Sequence, residues 1–134
     1  MSARGDIVVH DRFGKLIAVA EVKAPKSHRT LSGIRDELRL HTGAPYVVVV
    51  SRDKTYIWSP SDEKPVVEST ARLLNPYLHQ IGTDTETIAL PALRATVHIW
   101  LSDLTSAVPD AAQPKDTDFI RAIANGVVAF ERAA

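Results

Sequence analysis

The chain has 134 residues, 45% of them hydrophobic, which is enough for one core and too short for a second independent domain. Sixteen basic and sixteen acidic residues leave no net charge, so bulk electrostatics advertise no nucleic-acid partner. The lack of cysteine excludes disulfides, zinc–thiolate sites and thiol nucleophiles.

No apolar run approaches the roughly 18 residues of a membrane span. Met1 to Asp6 hold no apolar stretch of signal-peptide type, so a cytoplasmic protein with no membrane partner is expected. Charge is uneven along the chain. Residues 1–60 carry ten Lys/Arg against six Asp/Glu, and residues 61–134 carry six against ten.

Ile7-Val8-Val9 and Leu16 to Ala20, continuing to Lys23, read as two strands apolar on both faces, joined by a turn within Asp11-Arg12-Phe13-Gly14-Lys15. Thr30 to Thr42 reads as a helix with Leu31, Ile34 and Leu38 on its apolar stripe and Gly43 just past its end. Tyr46 to Val50 and Thr55 to Trp58 form a second pair of strands, stopped by Pro60.

The remainder reads as helical. Thr70 caps a helix to about Gln80, strained by Pro76. Leu90, Leu93, Val97, Trp100, Leu101 and Leu104 follow helical spacing behind Pro91. Asp116 or Thr117 opens a last helix towards Gly126. The expected fold is a single α/β domain over 1–134: a hairpin–helix–hairpin mixed sheet in residues 1–60 and a mainly helical extension in 61–134.

The first hairpin carries the chemistry. A two-residue turn at Phe13-Gly14 pairs Arg12 with Lys15 and sets Asp6 directly opposite Glu21 on one face. Lys23, two residues beyond Glu21, falls on the same face. Opposed carboxylates on otherwise apolar strands repel unless a cation lies between them. Oxygen donors of this kind suit Mg²⁺ or Mn²⁺, and Lys23 could orient an attacking water or stabilise charge on a phosphate. By this reading, Asp6→Ala relieves repulsion in the metal-free protein. The competing reading is a Glu21–Lys23 pair with Asp6 as a polar residue at the strand start.

At Gly5-Asp6-Ile7-Val8-Val9 and Ala20-Glu21-Val22-Lys23-Ala24 the chain resembles the PD-(D/E)XK, or restriction-endonuclease-like, nuclease superfamily, with Gly5 where proline is usual. The helix and hairpin that follow also resemble its core, in particular the nuclease domain of type I restriction motor subunits. The resemblance covers about residues 4–60. It implies that Asp6 and Glu21 ligate metal with the Val22 carbonyl, that Lys23 assists the water, and that the activity is Mg²⁺-dependent hydrolysis of DNA. The alternative is a non-catalytic nuclease-like module that binds nucleic acid or a protein partner. Family members often carry a helix before the first motif, and here five residues precede Asp6.

Lys23, Lys26, His28, Arg29, Arg35 and Arg39 form a basic run leading from the site into the helix. Lys26, Arg29, Arg35 and Arg39 are the expected DNA-phosphate contacts, with a solvated helix face as the bland alternative. The five histidines show no i, i+4 pair and make no metal site. Trp58 and Trp100 are expected in the core. Both faces of the first hairpin need cover. The stripe of the Pro91–Leu104 helix could serve an interface as well, so a homodimer is a further expectation.

Overall fold

A computed structural model describes residues 6–23 and 30–131. Strands β1 (Ile7–His10) and β2 (Leu16–Val22) pair antiparallel, and the connection between them departs from the expected turn. The loop is one residue longer than two: the Asp11 amide donates to the Lys15 carbonyl at 2.8 Å, with Gly14 at φ 87°. Asp11 Oδ1 holds the loop by accepting from the Phe13 and Lys15 amides at 2.8 and 2.9 Å. A one-residue shift at the tip would slip the whole hairpin. Between Val9 and His10, however, the register jumps: His10 faces Leu16 and Val9 faces Ala18, leaving Ile17 as a bulge. The bulge cancels the slip, so Val8 faces Val19 and Ile7 faces Ala20, the register expected for the body of the hairpin.

Helix α1 (Leu31–Thr42) starts where Thr30 Oγ1 accepts from the Gly33 amide at 3.0 Å. It stops at Gly43, whose left-handed φ of 70° lets its amide reach the Arg39 carbonyl at 2.9 Å. Ile34 and Leu38 are fully buried against Val8, Val19, Val47, Val49 and Trp58. Each such side chain contributes about 1.5–3 kcal/mol. The helix crosses over to β3 (Tyr46–Val50), which runs parallel to β2.

Strands β4 (Lys54–Trp58) and β5 (Val66–Ser69) add antiparallel neighbours beyond β3. On the face opposite α1 lie α2 (Thr70–Leu78), α3 (Leu90–Thr105) and α4 (Thr117–Ile123). Their Leu73, Leu74, Leu78, Leu93, Val97, Trp100, Phe119 and Ile123 are essentially inaccessible to solvent. Trp100 keeps its one polar atom satisfied, with Nε1 donating to the Ala112 carbonyl at 2.9 Å. The Tyr77 hydroxyl donates to Asp103 at 2.7 Å, linking α2 to α3. Burial and that hydrogen bond push the phenol well above its usual range.

The second half is therefore not purely a helical extension. It supplies both edge strands, β5 and β6 (Val127–Phe130), giving among the described residues a six-stranded mixed sheet ordered β5-β4-β3-β2-β1-β6. The buried Glu68 of β5 accepts from Arg72 at 2.8 Å and from the Lys115 amide, which fastens the connection before α4 to the sheet edge. β6 runs antiparallel to β1, with Ile7 facing Phe130 and His10 facing Val127. Among the described residues, no helix is long and apolar enough to cross a membrane.

Gly126 makes the return of β6 possible. A Cβ there would lie 2.9 Å from both Val9 Cγ1 and the Ile123 carbonyl oxygen, and 3.0 Å from the His10 carbonyl oxygen. Gly126→Ala is expected to lower stability by about 1–3 kcal/mol, read as a drop in the urea midpoint at unchanged slope.

Candidate functional site

Asp6 stands one residue before β1, at the end of the hairpin away from the tip. Its amide donates to the Ala20 carbonyl at 2.8 Å, and its Oδ2 accepts from the Val22 amide at 2.7 Å. The carboxylate thus extends the β1–β2 ladder by one bond, with a side-chain oxygen where a main-chain carbonyl would stand. Its other oxygen, Oδ1, lies 3.3 Å from Nε of Arg94, which comes from α3 on the face opposite α1.

Glu21 is buried, 9% exposed, and faces Val49 across the parallel β2–β3 ladder. Strand alternation places it with Val19, on the α1 side of the sheet. Lys23 follows the strand, half-buried, its amide donating to the Val50 carbonyl at 3.0 Å. The three sequence-predicted residues therefore converge on one end of the β1–β2 pair, with Val22 between them. Glu21 and Lys23 belong to the α1 side, whereas the Asp6 carboxylate is drawn into the line of the ladder and towards α3.

Arg35 and Arg39, expected to contact DNA phosphates, are engaged within the chain. Arg35 Nη1 donates to the Glu63 carbonyl at 2.7 Å, its Nε donates to Asp36 at 3.0 Å, and its guanidinium lies 6.0 Å from the Trp58 ring centre. Arg39 Nη2 donates to the carbonyls of Ser59 and Asp62 at 3.0 and 3.1 Å. Both arginines clamp the β4–β5 connection onto α1. Lys26 and Arg29 lie outside the described residues.

The ligands the resemblance implies, the Asp6 and Glu21 carboxylates and the Val22 carbonyl, are all oxygen, the donor type a hard divalent cation takes. Among the described residues, no group of three or more His, Asp or Glu side chains gathers as a metal site, so an ion here would rest on this mixed set. Among the described residues, Arg94 is the one at Asp6 that sequence reasoning did not foresee. It lies far along the chain, and only the β6 return and the packing of α3 bring it close. His98, four residues on, stacks on Phe130 with ring centres 4.4 Å apart and ties the same stretch of α3 to β6. The apolar stripe of α3, offered above as a dimer surface, is consumed within the chain: Leu93, Val97, Trp100, Leu101 and Leu104 are all buried.

Comparison of the chain with models of known families, with curated proteins and with solved structures gives no match.

A carboxylate bonded to an amide and paired with a guanidinium is not a repulsive element. Asp6→Ala is therefore expected to destabilise the metal-free protein by roughly 1–3 kcal/mol, opposite in sign to relief of repulsion, because the Val22 amide loses its acceptor and Arg94 its counter-charge. Urea denaturation in the presence of EDTA measures it.

Proposed function

We propose that this chain is a restriction-endonuclease-like module of the PD-(D/E)XK type that hydrolyses DNA phosphodiester bonds with Mg²⁺ or Mn²⁺. The observation that carries the reading is the junction of Asp6 with β2: its carboxylate accepts from the Val22 amide, between the Glu and Lys of Glu21-Val22-Lys23. The order of elements supports it. An antiparallel hairpin bears both motifs, and a helical crossover follows to a strand parallel to β2. In the roles the resemblance gives, Asp6, Glu21 and the Val22 carbonyl would hold the ion. Such an ion, when bound, supplies Lewis acidity towards the phosphate and a more acidic water. The Lys23 ammonium orients the attacking water and offsets charge developing on the phosphate oxygens.

On this reading the buried Glu21 carboxylate, at the end of an apolar strand, is a ligand held in a desolvated setting. β6 and α3 also supply cover on the β1 side, which a leading helix gives in the resembled family.

A second reading keeps the fold and drops the reaction: a non-catalytic module that binds nucleic acid or a protein partner. One observation favours it. Asp6 already has a cation beside it in Arg94 and a donor in the Val22 amide. Either reading allows a homodimer. With the α3 stripe buried, the edge strand β6, with Val127 and Phe130 about half exposed, is the apolar surface such a dimer would use.

Supercoiled plasmid incubated with the protein and Mg²⁺ or Mn²⁺ is expected to be nicked or linearised. Lys23→Ala should lower the rate by about 10²–10³-fold at unchanged melting temperature. Salt-dependent DNA binding without cleavage under any of these conditions would select the non-catalytic reading.

A further inference from the structure

Arg94 meets Asp6 in an unusual way. Its Nε is buried and has no aligned hydrogen bond, although Asp6 Oδ1 is 3.3 Å away. The contact is one of charge without the directional bond that normally accompanies it. A desolvated N–H without an acceptor is a standing penalty, and a pair held this way separates more easily than a forked guanidinium–carboxylate pair. The Arg94 side chain as a whole is 38% exposed, so it has an open path to solvent. The contact also falls on Oδ1, the oxygen that the Val22 amide leaves available.

We infer that Arg94 is a built-in stand-in for the divalent cation: guanidinium and metal are alternative occupants of the Asp6 carboxylate. This rests on the metal-site reading above and adds a residue and an exchange step to it. In the metal-free state Arg94 neutralises Asp6 and keeps the end of β1 in place. When a dication binds at Oδ1, a positive charge a few ångströms away becomes repulsive, and Arg94 leaves its buried position. Repulsion between two cations this close, screened because the arginine is partly exposed, weakens metal binding by about tenfold. α3 is thereby coupled to occupancy. Arg94 is one turn from His98, which stacks on β6, so release of the guanidinium loosens the stretch of α3 next to the edge strand. Arg94 is a positioning residue in this scheme and takes no part in bond making.

The test is Mn²⁺ binding followed by electron paramagnetic resonance on the full chain, without DNA. Arg94→Gln removes the charge and is expected to bind Mn²⁺ about tenfold more tightly than the unmodified protein. Arg94→Lys retains a cation and should stay within a few-fold of it, and Asp6→Ala should abolish binding. Equal affinity in Arg94→Gln and the unmodified protein, with binding still dependent on Asp6, would overturn the competition and leave the metal site standing. Weaker binding in Arg94→Gln would overturn it as well. If none of these proteins binds Mn²⁺, the metal reading fails and takes this inference with it. A second measurement needs no variant. In a ¹H–¹⁵N spectrum the Arg94 Nε–H should be protected from solvent exchange in EDTA and lose that protection at saturating Mg²⁺, and a resonance unmoved by Mg²⁺ contradicts the exchange.

Discussion

A four-residue strand has too few ladder bonds to hold a carboxylate in a fixed place by itself. β1 does so because it is paired along both edges, with β2 on one side and β6 on the other. Ile7 and Val9 are sealed beneath the helices of one face and Val8 beneath α1 on the other. The arrangement of Asp6, Val22 and Arg94 follows from this double pairing. Displacing β6 would leave one flank of β1 unpaired and release α3, which packs on β6. Gly126 is the narrow point of the scheme, since only hydrogen fits between its Cα and the β1 backbone.

Much of the first half was legible in the sequence. Leu31, Ile34 and Leu38 at helical spacing, Thr30 before them and Gly43 after them define α1, and a run of four valines can hardly be anything other than the central strand β3. The body of the first hairpin has the expected register for a reason the sequence concealed: a longer turn and a bulge at Ile17 offset one another. The edge strands were not legible. Val66–Ser69 is four residues long, follows Pro65 and runs directly into α2, leaving no alternating stretch long enough to read. Val127–Phe130 is four residues long and follows Gly126 after a helical stretch, too short an apolar run for periodicity to mark as a strand.

The placement of the candidate site residues was legible to the same extent and for the same cause. Asp6, Glu21 and Lys23 are separated by one hairpin, so local register relates them. Arg94 reaches Asp6 only through a non-local pairing of the chain's last strand with its first, and periodicity carries no information about that. The charge split between the halves also misleads if read as two faces of a protein. The halves interleave: an arginine of the acidic half sits on a carboxylate of the basic half. Arg35 and Arg39 of the basic half turn to main-chain carbonyls of residues 59–63 instead of to solvent.

The return of β6 also has a mechanical side. Asp6 and Glu131 are joined by a main-chain hydrogen bond of 2.9 Å at the same end of an antiparallel pair. Tension applied at residues 6 and 131 would therefore load the β1–β6 ladder one rung at a time, as in opening a zipper, and not all rungs together as in shear. The first rung to part is the one beside Asp6. A pull along the chain would thus disturb the candidate site while the β2–β3–β4 centre of the sheet still carried little load.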